Sequence, residues 1–219
     1  LPAFGVTVAD FKALRERGGV MVDTTCGSVL NVWKRVEMYA RDGYTALIHG
    51  KYYHEETRAT ASQVLKYPEG RYLVVRDMSE AEAVCAYITS SGVGAVNAAA
   101  REAFMTRFAK AASPGFDPDV HLRRIGVANQ TTMLARESME IGEVVGETMA
   151  RAFGDEYRAA NFRTFDTICS ATQDRQDAVN ELLKEPLDAM IVVGGFNSSN
   201  TISLAALCAE HVPTYHVED

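Results

Sequence analysis

Short runs of β-branched and apolar residues alternate along this chain with longer stretches of helical spacing, and that alternation restricts the possible folds more than any other feature. Strands are predicted at 20–22, 44–48, 72–75, 124–128, 163–165, 189–193 and 214–217. Between them, periodicity predicts helices over 6–17, 28–40, 57–66, 79–88, 98–112, 133–153 and 176–184, with a further one ending near 210. Ser79 reads as a helix N-cap, and Ser90-Ser91-Gly92-Val93-Gly94 as a flexible link. Strands alternating with helices mean βαβ units and mainly parallel sheets, so the fold class is α/β. A chain of 219 residues accommodates one large domain or two smaller ones, and residues 89–120 read as an insertion within a domain.

Polar clusters fall just after the strands, at the edge of an open α/β sheet where ligands bind. Two of them share a pattern: Asp23-Thr24-Thr25-Cys26 and Asp166-Thr167-Ile168-Cys169, each at the seam between a strand and a helix. A thiol at a helix N-terminus is shifted toward thiolate, the form that binds metal or acts as a nucleophile. Partly buried structural cysteines would show the same spacing, and both readings stand at this level. Cys85 and Cys208 lie within apolar helical patterns and read as core residues.

The Gly194-to-Thr201 loop offers small residues, hydroxyls and amides ahead of a helix, which suits a phosphate, although a capped polar turn would look alike. It is not a P-loop, since no Gly-Lys-Ser/Thr follows at the required spacing. His49 and His54 are five apart, with Glu55 and Glu56 adjacent, so the zincin arrangement is excluded. A His-Glu pair beside a phosphate site suits anion contact and proton delivery. Gln130-Thr131-Thr132 reads either as cap residues or as hydroxyl donors in a relay.

A net charge of −7 leaves no basic stripe for nucleic acid, but backbone amides and hydroxyls still allow a small phosphorylated ligand. The four cysteines lack the short regular spacing of a disulfide scaffold. No apolar run approaches the roughly 18–20 residues a membrane helix needs, so no membrane partner is expected.

Taken in order, these clusters resemble the LytB/IspH family of 4-hydroxy-3-methylbut-2-enyl diphosphate reductases. The matching stretches are Asp23-Thr24-Thr25-Cys26; Ile48-His49-Gly50-Lys51 with His54-Glu55-Glu56-Thr57; Ala128-Asn129-Gln130-Thr131-Thr132; Asp166-Thr167-Ile168-Cys169 with Ala171-Thr172-Gln173-Asp174-Arg175-Gln176; and Gly194-Gly195-Phe196-Asn197-Ser198-Ser199-Asn200. The His-Gly-Lys and His-Glu-Glu-Thr pieces resemble the plant and cyanobacterial branch. The resemblance implies similar α/β units in a three-part cloverleaf around a [4Fe-4S] cluster held by three cysteines. In those terms residues 1–26 would end the first unit, 27–165 form the second, and 166–219 begin the third.

The resemblance implies that Cys26 and Cys169 are cluster ligands. It implies that His54 contacts the diphosphate, that Glu56 serves a proton relay with Thr131, and that Thr132, Thr172, Ser198, Ser199 and Asn200 line the diphosphate pocket. The reaction implied is a two-electron, two-proton removal of a hydroxyl as water, giving isopentenyl and dimethylallyl diphosphate at the end of the methylerythritol phosphate pathway. An electron donor such as ferredoxin or flavodoxin is implied, as is a cytoplasmic location, or the plastid stroma in a photosynthetic eukaryote.

The chain departs from the family in places. Phe4 stands where many bacterial members have a diphosphate-contacting histidine, and Gly27-Ser28 replaces the more usual proline and bulky residue. By the same resemblance one cysteine is expected ahead of Leu1 and a serine-bearing segment beyond Asp219, so the sequence reads as a fragment. Residues 1–219 alone are expected to hold no stable cluster. The reading from a different class is a non-redox α/β module that binds a small phosphorylated ligand and keeps both cysteines structural.

Overall fold

Thr45–His49 is buried at every position, and a strand with no solvent face must be flanked by strands and covered on both sides by helices. In the computed structural model, which describes residues 1–18, 20–93, 97–164 and 169–218, that requirement is met by a doubly covered parallel sheet. The first half runs α1 (Val8–Glu16), α2 (Gly27–Arg41), β1 (Thr45–His49), α3 (Glu55–Val64), β2 (Arg71–Val75) and α4 (Met78–Val93). It continues with α5 (Ala98–Arg107), α6 (Pro118–His121), β3 (Ile125–Asn129), α7 (Ala135–Phe153), α8 (Asp155–Asn161) and β4 (Phe162–Thr164). The remainder is α9 (Ser170–Leu182), β5 (Met190–Val193), α10 (Ser199–Ala209) and β6 (Thr214–Val217).

Among the described residues the sheet order is β2-β1-β3-β4, all parallel, and β5 pairs with β6 in a second parallel sheet. The α/β fold class and parallel pairing expected from the sequence are therefore present. The chain leaves β1 for β2 in one direction across the sheet and reaches β3 and β4 in the other. With right-handed crossovers, α3 and α7 lie on opposite faces, where α2 packs with α3 and α4 with α7. The reversal creates a crevice between the ends of β1 and β3, at His49 and Asn129, which are register partners.

The 89–120 stretch covers the outer edge of β2. Val74 N–H donates to the Ala111 carbonyl at 2.9 Å and Ser113 N–H to the Tyr72 carbonyl at 3.0 Å, so the edge has no free ladder for another strand. No helix among the described residues is long and apolar enough to cross a membrane.

Several local expectations fail for physical reasons. Val20-Met21-Val22 is not a buried strand: Val20 is 97% exposed and Val22 69%. The backbone there bonds to residues 1–3 (Leu1 ammonium to the Val22 carbonyl, Cys26 N–H to the Ala3 carbonyl), which falls short of a ladder. Ser79 does not cap α4. Asp77 does, its carboxylate accepting from Glu80 N–H at 3.0 Å, because a carboxylate two residues earlier also meets the helix dipole. Residues 90–93 are the last turn of α4 rather than a link, since Ser90 and Ser91 return their hydroxyls to the Ala86 and Ile88 carbonyls. α8 had no periodic signal long enough to be read.

Close packing links β3 to α2. Tyr39 is fully buried, its hydroxyl donating to the Val127 carbonyl at 3.0 Å, and its ring lies flat over Gly126. A Cβ at Gly126 would come within 2.5 Å of that ring. Gly126→Ala is expected to cost about 1–3 kcal/mol through overpacking, read as a lower urea midpoint with an unchanged m-value. An unchanged midpoint would mean that α2 shifts freely on the sheet.

Candidate functional site

A buried carboxylate bridges the crevice between β1 and β3. Glu56, in the first turn of α3, is fully buried, and its Oε1 accepts from Thr131 N–H, two residues past β3, at 2.6 Å. Its Oε2 is buried and has no hydrogen-bond partner among the described residues. Burial raises the Glu56 carboxyl above the ordinary glutamate value, outweighing the opposing hydrogen bonds from the Thr131 amide and hydroxyl. A carboxyl that favours its proton and keeps one oxygen free is equipped to carry that proton.

His54 is the N-cap of α3, and its Nδ1 accepts from Glu56 N–H at 3.2 Å. An amide N–H can only donate, so neutral His54 carries its proton on Nε2. Burial first, and then the Lys51 ammonium, hold its pKa below the ordinary histidine value, against Glu55. The Phe4 ring meets it edge-on, with centroids 5.3 Å apart.

Cys26 and Cys169 are helix N-caps, Cys26 for α2 and Cys169 for α9. In the first corner Asp23 explains its own presence: Oδ1 accepts from Thr25 N–H at 3.0 Å and from Thr25 Oγ1 at 2.6 Å, forming the turn that delivers Cys26. Phe165, Asp166, Thr167 and Ile168 of the second corner lie outside the described residues. Cys26 is exposed, which does not suit a structural core thiol, whereas Cys85 and Cys208 are buried as expected.

Burial pushes the Cys169 thiol up, but the Ser28 hydroxyl, the Thr172 and Ala171 amides and the Thr172 hydroxyl face the sulfur and together hold it below the usual thiol value. Because Ser28 is two residues beyond Cys26, this contact also brings the two cysteine corners together. Cys169 N–H donates to the Thr131 carbonyl at 3.4 Å, so Thr131 joins the acid to the second corner.

Thr132 lies beside this group, its Oγ1 accepting from Gln130 Nε2 at 2.8 Å. Thr172, buried on α9, belongs to the Cys169 corner. Ser198, Ser199 and Asn200 stand apart, opening α10 above the β5–β6 sheet. The Ser198 hydroxyl is used as a cap on Thr201 N–H at 3.3 Å, Ser199 is buried, and the Asn200 Oδ1 is buried without a partner. The structure thus gathers Glu56, His54, Thr131, Thr132, Thr172, Cys26 and Cys169, while α10, which the Ser198–Asn200 trio opens, packs on α9.

Three residues carry more of this geometry than the sequence suggested. Gln176 holds α9 against the loop after β3, accepting from Ala135 N–H at 3.1 Å and donating to the Met133 carbonyl at 3.2 Å. Its spacing from Thr172 and Cys169 places all three on one helix face, a signal that was available. Gln130 joins both sides of the crevice. His49, read alongside His54, instead points into the core. Its Nδ1 lies 2.8 Å from Ser138 Oγ and its Nε2 3.8 Å from Glu137 Oε2, and burial lowers its pKa to about 4.

A family model described as LytB protein matches residues 1–219. A 4-hydroxy-3-methylbut-2-enyl diphosphate reductase from Thermosynechococcus vestitus is 49% identical over the whole chain, which covers 52% of that protein. One from Synechococcus sp. (strain RCC307) is also 49% identical, with 51% of it covered. The chain spans about half the length of the curated relatives it matches. A solved (E)-4-hydroxy-3-methyl-but-2-enyl diphosphate reductase aligns over 99% of this chain and 60% of its own, with TM-score 0.52 and 27% identity. A reductase structure from Plasmodium falciparum aligns over 98% of this chain and 54% of its own, with TM-score 0.63; at 21% identity it speaks to the fold alone. Matched along its whole length by the family model, this chain belongs to the LytB protein family.

Proposed function

We propose that the chain is part of a 4-hydroxy-3-methylbut-2-enyl diphosphate reductase, in which it contributes two thiolates to an iron–sulfur cluster, supplies a proton and holds the substrate diphosphate. The observation that carries this reading is Thr131, whose N–H binds buried Glu56 and whose carbonyl accepts from Cys169 N–H. A proton-retaining acid and a thiolate-favouring cysteine are thereby one residue apart. The names of the relatives add the substrate and the reaction.

The donor chemistry fits a cluster. Iron–sulfur centres take thiolates, and Cys26 and Cys169 both stand where a helix dipole favours negative sulfur. Among the described residues no three His, Cys, Asp or Glu side chains come together as a metal site, so these two are proposed as part of a ligand set that a further thiolate completes. When bound, the cluster would supply single electrons, received from a carrier such as ferredoxin or flavodoxin, and an iron lacking cysteine as a Lewis acid for the substrate hydroxyl.

The protein's own share is binding and proton delivery. His54, with its proton on Nε2, donates to the diphosphate, and Thr132, Thr172, Ser198, Ser199 and Asn200 line its pocket. Glu56 gives a proton through the Thr131 hydroxyl to the departing oxygen. The carbon–oxygen bond breaks and a carbon–hydrogen bond forms, so two electrons and two protons turn the allylic alcohol into the deoxygenated butenyl diphosphate, which keeps one double bond, and water. The exposure of Cys26 and the hydrogen-bond donors facing Cys169 argue against the non-redox module.

In the full-length protein, Cys26→Ser and Cys169→Ser are expected to lose the brown colour and reductase turnover together. Colour and iron retained in both would favour structural cysteines. Glu56→Gln is expected to keep the colour and lower kcat by about 10²–10⁴. Because the Glu56 pKa is raised, its acid form persists to higher pH than in an exposed glutamate and is lost as pH rises through that value. Any basic limb of the wild-type profile that Glu56 causes should vanish in Glu56→Gln, and its persistence would move the proton to another group.

A further inference from the structure

Gln130 is almost completely buried, and its amide makes bonds to three different segments. Oε1 accepts from Lys51 N–H at 3.1 Å and from Thr57 Oγ1 at 3.0 Å, while Nε2 donates to Thr132 Oγ1 at 2.8 Å. The amide's orientation follows from chemistry. A backbone N–H is donor only, so the atom facing Lys51 must be oxygen, and the atom facing Thr132 must be the NH₂.

Thr132 Oγ1 is therefore an acceptor toward Gln130, and its one hydroxyl proton is left over. Thr132 makes no other hydrogen bond among the described residues and is partly exposed, so that proton is free to be offered outward. A hydroxyl already accepting one hydrogen bond is polarised into a better donor for the next. The surroundings leave Gln130 little freedom to turn: its N–H donates to the His49 carbonyl at 2.7 Å, its carbonyl accepts from Met133 N–H at 3.1 Å, and a Cβ at Gly50 would lie 2.9 Å from Gln130 Cβ.

We infer that Gln130 is a positioning residue that fixes Thr132 as a hydrogen-bond donor and so makes this side of the pocket selective for acceptor-only, anionic phosphate oxygens. His54 is preset in the same sense, since the Glu56 amide claims Nδ1 and leaves Nε2–H to donate. Two donors, each set from behind by a buried group, are thereby available to the ligand without requiring a positive charge on either. This inference rests on the diphosphate reading of the site.

The test is a double-mutant cycle in the cluster-loaded full-length protein, with inorganic pyrophosphate as the probe and its Kd read by titration calorimetry. Gln130→Met and Thr132→Val are each expected to weaken binding about ten- to hundredfold, the scale of one hydrogen bond to a charged group. The double variant should be no weaker than Thr132→Val alone. Thr57→Val, which removes one of the two bonds to Gln130 Oε1, acts through the same amide and should likewise add nothing to Thr132→Val. Additive losses for Gln130→Met and Thr132→Val, or no loss from Gln130→Met, would overturn the inference and leave the diphosphate reading intact.

If Gln130→Met does not fold, Thr132→Val against Thr132→Ser still decides. Loss in the valine variant with retention in the serine variant supports the donor role, and equal affinity in both overturns it. A wild-type protein that binds no pyrophosphate would instead overturn the diphosphate reading, and the inference with it.

Discussion

The hydrogen bond from Thr131 N–H to Glu56 Oε1 spans the point where the strand order reverses, and the rest of the site depends on it. A parallel sheet leaves the chain leaving β1 and the chain leaving β3 diverging, so the crevice between them needs a side chain to bridge it. Glu56 can do so because His54 caps α3 and aims its first turn back at the sheet edge. The cost is a desolvated carboxyl, offset only in part by the Thr131 bonds, and that cost is what shifts the acid toward its protonated form. Stability and chemistry conflict at this residue, as is common where function resides.

The same sheet edge treats its ionisable groups in opposite ways. Burial dominates at Glu56, His54 and His49, so each favours its neutral form. At Cys169 the donors of α9 and Ser28 outweigh burial, and the charged form is favoured instead. The difference lies in geometry: Cys169 sits at a helix N-terminus with several N–H and O–H groups facing it, whereas Glu56 Oε2 faces none. An acid shifted toward its protonated form and a thiol shifted toward thiolate are thus held by the N–H and the carbonyl of one residue, Thr131.

Much of the architecture was legible because β-branched runs and helical spacing report burial directly. The Asp-Thr-x-Cys corners were legible for a related reason, since Asp23 must make a turn and Cys26 must follow it. What could not be read depends on partners distant in the chain. Val20 and Val22 have the composition of a strand but no ladder to join, and composition cannot supply one. His49 and His54 look equivalent in sequence, yet one ends a strand and turns into the core while the other caps a helix. Gln130 reads as one more polar residue until Lys51 and Thr57, some seventy positions earlier, are seen to share its oxygen.

The most direct test is whether Glu56 holds a proton beyond the range of an ordinary glutamate. Infrared difference spectroscopy of the full-length protein, titrated with pH and compared with Glu56→Gln, isolates that one carboxyl. A protonated-carboxyl band that belongs to Glu56 is expected to survive above the pH at which exposed glutamates ionise. A band that disappears at the ordinary glutamate pKa, or that remains in Glu56→Gln, would contradict it.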